Sequence, residues 1–310
     1  MPTIHVPVLL HEVLESLIPV SARSSKDALW YIDGTLGGAG HAMAIAAALN
    51  GNLNIIGLDR DPEAIKRNKG VLAGKAEKVI LECDDFRNIG RVLQKHGVEK
   101  ADLILLDLGL SSDELENSGR GFSFKKDEPL LMTMGDPATY AFTARDILND
   151  WKEEDIANVI FAYGEEKYAK RIAKAVVDYR IKKKIETTDE LTEIVRSGVP
   201  AAYRFRKIHP ATKTFQALRI AVNDELKAVE QGLKEGYEHL NEGGRLGVIS
   251  FHSLEDRIAK NFMRAKEKQG GKLISRKVVK PTDQEIAENP RSRSAKLRVI
   301  EKHSNKIDIN

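Results

Sequence analysis

Between Trp30 and Leu108 the chain alternates short apolar runs with helical stretches, and this alternation restricts the fold more than any other feature. The spacing predicts strands near 30–33, 54–58, 78–82 and 102–107, separated by helices over 40–49, 62–70 and 87–96. Repeats of this length require right-handed crossovers, so the strands must run parallel in one sheet with helices packed against it. Ligands of such sheets bind beyond the carboxyl ends of the strands. Asp33, Asp59, the turn Asp84-Asp85-Phe86 and Asp107 all fall at those ends, so four strands are expected to deliver side chains to one edge.

The first of those ends is the run Asp33-Gly34-Thr35-Leu36-Gly37-Gly38-Ala39-Gly40-His41, an acid followed by four glycines within seven residues and then a helix. Glycines let backbone pass close to a ligand, and the helix N-terminus offers unpaired N–H groups. The dinucleotide fingerprint needs a further glycine three places after Gly40, where Met43 stands. S-adenosylmethionine carries no phosphate and fits such a turn better, with Asp33 placed to meet its ammonium group. A plain tight turn remains the alternative at this point. Asp59, at the end of the second strand and 19 residues past Gly40, is placed to take ribose hydroxyls, while Asp61 before Pro62 is the better cap for the following helix.

The whole chain is 310 residues with 42% hydrophobic content, enough for a large core without covalent staples. Its one cysteine, Cys83, excludes an intramolecular disulfide and any cysteine-based zinc site. No basic, apolar leader opens the chain, and no uninterrupted apolar stretch approaches membrane-spanning length, so a cytoplasmic protein with no membrane partner is expected. The net charge of +3 is unevenly spread: residues 170–219 hold 13 basic and 5 acidic residues and residues 257–310 hold 15 and 6, leaving −14 for the rest. Segregated positive charge suits a polyanion, because each neutralised phosphate releases counterions.

From Leu115 to His209 the sheet pattern stops, and helical segments around 143–162, 165–181 and 188–197 follow one another without a convincing strand. Tyr163-Gly164 reads as a glycine stop. This stretch is expected to form a separate helical domain carrying Arg180, Lys182, Lys183, Lys184, Arg204, Arg206 and Lys207, and hence the polyanion. The domain boundaries read from the sequence are 1–114 and 210–310 for the sheet domain and 115–209 for the insert. After it, Phe215, Leu218, Val222, Leu226, Val229, Leu233, Tyr237 and Leu240 recur at three- and four-residue steps, predicting one long helix. A strand over 245–251, a helix over 254–268 and β-like stretches around 273–279 and 296–302 close the sheet.

The loop after the fourth strand, Asp107-Leu108-Gly109-Leu110-Ser111-Ser112, lies where the reacting group of a bound cofactor should point. An exocyclic amine is a weak nucleophile, and acceptors on such a loop, from Asp107, Ser111 or Ser112, can hold it in line with a methyl group. A sulfonium leaving group needs neither metal nor acid, and no metal-ligand constellation stands out, so no metal is expected.

These stretches, together with His5-Val6-Pro7-Val8-Leu9-Leu10, Arg120-Gly121-Phe122-Ser123-Phe124, Tyr163-Gly164-Glu165-Glu166, the run from His209 to Ile220, the run from Ser250 to Arg257 and Asn289-Pro290-Arg291-Ser292-Arg293-Ser294, closely resemble the bacterial small-subunit rRNA cytosine N4-methyltransferase family known as MraW or RsmH. The resemblance spans nearly the whole chain. It implies a class I, Rossmann-like S-adenosylmethionine-dependent α/β fold with an inserted all-helical domain. The implied activity is N4-methylation of a cytidine in the decoding centre, at the P site, of 16S rRNA, on free RNA or the small ribosomal subunit.

By motif, the implied cofactor contacts fall on Gly38, Ala39, Gly40, His41, Asp59, Phe86, Asp107 and Glu114. Ala39 and Glu114 replace residues that are usually Gly and Gln in that family, and Pro129-Leu130-Leu131-Met132-Thr133-Met134 lacks a usual Asp and Arg. Losing both charges together avoids stranding one, so a repacked loop is expected there. His209, Arg219 and His252 are further candidates, with a capping role favoured for His252, and Phe122 and Phe124 divide between base stacking and loop anchoring. A non-catalytic RNA-binding assembly factor and an NAD-linked oxidoreductase are the alternatives. The oligomeric state is open, a homodimer included.

Overall fold

The structure is a computed structural model that describes residues 7–24, 27–110, 118–206 and 208–303. Its first half reproduces the predicted alternation: β1 (Leu29–Asp33), α2 (Gly40–Ala48), β2 (Leu53–Asp59), α3 (Pro62–Val71), β3 (Lys78–Cys83), α4 (Ile89–Lys95) and β4 (Ala101–Asp107), preceded by α1 (Leu10–Leu17). With β5 (Leu240–Ser250), β6 (Lys272–Leu273) and β7 (Lys296–Glu301) these form one seven-stranded sheet in the order β3-β2-β1-β4-β5-β7-β6. The pairs from β3 to β5 are parallel, while β7 runs antiparallel to both β5 and β6. This is the expected α/β, Rossmann-like sheet with an antiparallel end.

Alternation along each strand explains why the sheet is covered on both sides, since successive side chains point to opposite faces. Tyr31, Ile55, Leu103, Leu105, Ile249 and Val299 pack with Val13, Leu17, Ala42, Ile45 and Ile65 of α1, α2 and α3. Their neighbours Ile32, Ile56, Ile104, Leu106, Val248 and Ile300 pack on the other face with Ile89 and Val92 of α4, and with residues of α11 (Glu225–Glu238) and α12 (Ser253–Glu267). Strands buried on both faces read as continuous apolar runs, as Leu103-Ile104-Leu105-Leu106 does.

Contacts divide the chain into two compact units, one of residues 1–109 and 226–310 and the other of residues 110–225. The α-helices among the described residues of the second unit are α5 (Ala144–Asp150), α6 (Glu153–Gly164), α7 (Ala169–Arg180), α8 (Thr188–Gly198), the single turn α9 (Ala201–Arg204) and α10 (Thr212–Asn223). Only an isolated bridge between Pro129 and Thr187 adds strand pairing among them. The helix expected over 143–162 is two helices, because Trp151 and Lys152 are extended between them. The first is started by a capping box in which Thr143 and Asp146 exchange hydrogen bonds.

Two further expectations change. The long helix read from 215 to 240 is broken at Asp224, whose φ of 50° is left-handed, so α10 ends at Asn223 and α11 begins at Glu225. One apolar stripe therefore serves two cores: Phe215, Leu218 and Val222 lie in that of the second unit, and Val229, Leu233 and Tyr237 lie under the sheet. The contact boundary accordingly falls near 225, whereas the sequence pattern places it at 209/210. The β-like stretch at 273–279 is mostly irregular, leaving the two-residue β6 and one bridge from Val279 to Leu297.

Gly164 is needed for approach and not for its φ. A Cβ there would lie 2.5 Å from the Lys213 carbonyl oxygen of α10, and the left-handed residue that ends α6 is Glu165, with φ 48°. In the loop of altered charge, Leu130, Met132 and Thr133 are fully buried. Asn223 ties it in by donating to the Met132 carbonyl at 2.7 Å and accepting from the Met134 amide at 2.9 Å. The segment packs into the core of the second unit, held by this amide side chain and by backbone hydrogen bonds to Arg120, Ala144, Arg145 and Glu186.

Candidate cofactor site at the carboxyl edge of the sheet

Asp33, Asp59, Asp84 to Phe86 and Asp107 do converge at the carboxyl ends of β1 to β4, all within the first unit. The glycine turn between β1 and α2 is held by side chains from its neighbours. Asp59 accepts hydrogen bonds from the Gly37 amide at 2.8 Å and the Asp61 amide at 2.9 Å, one on each carboxylate oxygen. A carboxylate oxygen has a second lone pair, so Asp59 is fixed in orientation and retains acceptor capacity for a diol. Asp61 caps α3 through the Glu63 amide, with Pro62 next, as the sequence indicated.

The glycines have separate causes. Gly37 has φ 51°, in the left-handed region. Gly40 is held by close approach: a Cβ there would fall 2.4 Å from Cγ of Pro7, so the segment before α1 packs onto the start of α2. Gly38 is exposed at the turn. Ala39, where the resembled family usually has glycine, takes φ 60° and is completely buried in the core. An alanine can hold this conformation at a cost of about 1–2 kcal/mol, offset by burying its methyl group, about 0.8 kcal/mol. It is the N-cap of α2 and offers no side-chain cap, so the amides of the first turn are left for another acceptor.

His41 lies in that first turn, buried, with Nε2 2.9 Å from the Val8 carbonyl oxygen. A carbonyl only accepts, so Nε2 carries the proton, and Nδ1 faces Asp107 Oδ2 at 3.9 Å. Burial pushes the imidazole below its ordinary pKa, against the pull of Asp33, and the ring is neutral near pH 7. Asp33 itself accepts from the Tyr31 hydroxyl at 3.0 Å and the Thr35 amide at 3.2 Å. Burial pushes its carboxyl up to about 6 despite His41 and these hydrogen bonds. Burial likewise raises Asp59 above the usual carboxylate range, opposed by its two amides. The edge thus presents three carboxyl groups beside a neutral histidine, an environment that attracts a cationic ligand and repels a pyrophosphate.

Phe86 reaches the same edge, but its ring is engaged by the protein. A Cβ on Gly232 of α11 would meet Phe86 Cδ2 at 2.3 Å, and one on Gly34 would meet Phe86 Cβ at 3.0 Å. The ring packs against α11 at Gly232 and is partly buried. Asp85 caps the turn at Phe86 and pairs with Arg60 at 2.6 Å, which keeps that turn in place. Ser111, Ser112 and Glu114 lie outside the described residues.

Sequence reasoning missed the parts played by four residues. Thr35 Oγ1 accepts the Asp107 amide at 2.7 Å and so fastens the end of β4 to the glycine turn. Asn68 of α3 is fully buried and donates to the Gly37 carbonyl at 2.8 Å. Pro7 and Val8 supply the wall behind Gly40 and His41. Asn68 left a signal, an amide on the apolar Ala64-Ile65-Leu72 face of its helix, where an unexplained polar residue marks a hydrogen-bonding task.

The other candidates are structural. His252 is the N-cap of α12, in a capping box with Glu255, the capping role the sequence favours. Arg219 makes two 2.8 Å bonds to the Glu225 carboxylate. His209 stacks on Phe124 at 4.5 Å between centroids and accepts from the Ala211 amide at 3.2 Å, while Phe215 meets Phe124 edge-on at 5.4 Å. With Phe122 buried in the same core, both aromatics of that loop are anchors.

If Asp59 holds a ribose diol, Asp59→Ala lowers affinity for S-adenosylmethionine about 100-fold, the loss of two charge-assisted bonds of roughly 1.5 kcal/mol each. Calorimetry reads this directly, with adenosine as a second ligand that should fail in parallel. Unchanged affinity for both would remove Asp59 from the site.

The chain is similar to known proteins over most of its length. Residues 2–303 match the family described as the MraW methylase family. The ribosomal RNA small subunit methyltransferase H of Heliobacterium modesticaldum is 45% identical, with 96% of this chain and 98% of that protein aligned. The protein of the same name from Paenibacillus sp. is 43% identical over 96% and 99%. An rRNA methylase of known structure from Streptococcus thermophilus, 10% identical, aligns at a TM-score of 0.44 over 96% of this chain and 99% of that one. S-adenosylmethionine, the cofactor expected from the glycine turn, is in keeping with a methylase. Matched over residues 2–303, this chain belongs to the MraW methylase family.

Proposed function

We propose that the chain transfers a methyl group from S-adenosylmethionine to N4 of a cytidine in the decoding centre, at the P site, of 16S rRNA. The observation that carries the reading is the acidic edge of Asp33, Asp59 and Asp107 around a turn whose helix amides are uncapped. That donor set fits a cofactor with an ammonium, a diol and a carboxylate, and disfavours the pyrophosphate of a nicotinamide dinucleotide. The names of the relatives, which act on small-subunit rRNA, support the substrate class, as does the positive charge of residues 170–219 and 257–310.

The bound sulfonium supplies an activated methyl group whose departure needs no acid or metal. Asp33 is assigned the ammonium, Asp59 the ribose, the first-turn amides of α2 the carboxylate, and Asp107 with Ser111 and Ser112 the orientation of the amine. Gly109 lets the backbone two residues past Asp107 lie against Phe251, because a Cβ there would fall 2.7 Å from the ring. An acceptor on the amine N–H leaves the nitrogen lone pair aimed at the methyl group, so the loop acts through alignment.

Mass spectrometry of 16S rRNA from cells lacking the gene tests the reading. The expected result is loss of a single methyl group on a cytosine N4, restored by the wild-type gene and not by Asp59→Ala. Unchanged cytosine methylation would sink the enzyme and leave the assembly-factor alternative.

A further inference from the structure

The second unit carries a group of aromatic and cationic side chains that the cofactor chemistry does not use. Tyr168, at the start of α7, and Tyr203, in α9, meet edge-on with centroids 5.0 Å apart. Tyr203 is fixed from below, its hydroxyl donating at 2.6 Å to Glu166, which is fully buried and also accepts the Tyr168 amide at 2.9 Å. Three cations lie over these rings: Lys167 at 4.8 Å from Tyr168 and 5.9 Å from Tyr203, Arg171 at 5.9 Å from Tyr168, and Arg206 at 4.9 Å from Tyr203. Ion pairs of this unit join Arg145 to Glu186, Lys174 to Asp178, Lys183 to Glu190, Arg196 to Glu193 and Arg219 to Glu225; among the described residues Lys167, Arg171 and Arg206 belong to none.

Beside them stands Phe205, 87% exposed, with an arginine on either side in sequence. Among the described residues its ring meets no other aromatic and no cation. A phenyl ring held in water contributes nothing to the fold, and the flanking charges oppose burial against an apolar protein face. Positive heads set in place by aromatic faces, next to a bare ring, form instead the two halves of a single-strand nucleic-acid contact: phosphates for the cations and a base for the ring. The cations lose little further freedom on binding, because the tyrosines already restrain them.

We propose that this surface seats an unpaired stretch of RNA, one base stacked on Phe205 and the adjoining phosphates against Lys167, Arg171 and Arg206. The inference rests on an RNA substrate as proposed above, and names the residues of the second unit that grip it. Unpaired RNA is favoured over a duplex because a stacked base must have an open face, which paired bases in a helix do not offer.

The test is fluorescence anisotropy with a labelled single-stranded RNA of about 12 nucleotides and with its duplex, across salt concentrations. Phe205→Ala and Phe205→Leu should weaken single-strand binding by about 5- to 100-fold, while Phe205→Trp keeps it and duplex binding is little altered. Arg206→Ala should reduce the salt slope by about 0.7, the value for one phosphate contact on a single strand. Calorimetry with S-adenosylmethionine on the same variants separates the two readings. Loss of cofactor binding in the wild type would overturn the methyltransferase and not this surface. Intact cofactor binding with wild-type RNA affinity in both Phe205→Ala and Phe205→Leu would overturn the surface, as would binding to phosphatidylserine vesicles that depends on Phe205 while RNA binding does not.

Discussion

Asp33→Asn is expected to make the protein more stable and a poorer binder of S-adenosylmethionine. The Asp33 carboxyl is buried and its pKa stands at about 6 against an ordinary 3.8. A carboxyl whose folded pKa lies above its unfolded value holds its proton more tightly when folded. Between pH 3.8 and about 6 the unfolded chain therefore binds fewer protons, and stability falls as pH rises through that window. At pH 7 the ionised group costs about 3 kcal/mol. Asparagine keeps an acceptor for the Thr35 amide and a polar partner for the Tyr31 hydroxyl while removing the charge. A gain of about 2–3 kcal/mol at pH 7, vanishing near pH 4, should appear in urea unfolding.

Cofactor affinity should move the other way. An ammonium beside Asp33 favours the ionised carboxyl, so wild-type affinity should rise with pH through about 6 and then level off. Asp33→Asn should bind S-adenosylmethionine about 10- to 100-fold more weakly at pH 7 and lose that pH dependence, since a charged hydrogen bond contributes roughly 1.5–3 kcal/mol. A variant no more stable than the wild type, or one with unchanged affinity, would contradict the assignment of Asp33 as a strained carboxylate kept for a cation.

Arg219→Ala should be the most damaging substitution in the second unit. The guanidinium meets both Glu225 oxygens at 2.8 Å, and the two side chains are only 17% and 8% exposed. Removing the arginine strands a buried carboxylate beside the left-handed residue Asp224, at an expected cost of about 3–5 kcal/mol. The melting temperature should fall by on the order of 10 °C. Replacing both partners, Arg219→Met with Glu225→Leu, should recover most of the loss, because a well-packed apolar pair leaves no charge uncompensated. A single variant as stable as the wild type would show that the pair is not what secures this break.

Much of the sheet was readable because its strands are short, continuous apolar runs between helices with clear starts, such as Asp61-Pro62. The acids of the site were readable for the same reason, since strand ends are where the alternation turns. What escaped prediction depended on non-local packing. Nothing in the spacing of Phe215, Leu218, Val222 and Val229 reveals that the stripe changes cores at Asp224, because a left-handed aspartate leaves no mark of the kind a glycine would. In sequence Phe122 and Phe124 suit base or core equally, and only the contacts of His209 and Phe215 with Phe124 decide for the core. Thr35 and Asn68 act through hydrogen bonds to residues 72 and 31 positions away, which no local pattern records.

The break in the sheet domain between β4 and β5 also has a consequence in time. The Ala101–Asp107 strand pairs with β1 on one side, but its partner on the other begins at Leu240. At ordinary rates of synthesis the intervening chain takes on the order of ten seconds to emerge. Throughout that interval the bare edge of Leu103-Ile104-Leu105-Leu106 is a template for pairing with a neighbouring nascent chain. The helices that emerge next have a core of their own to form in the meantime. The most hydrophobic strand of the enzyme is thus the one whose completion waits longest on the ribosome.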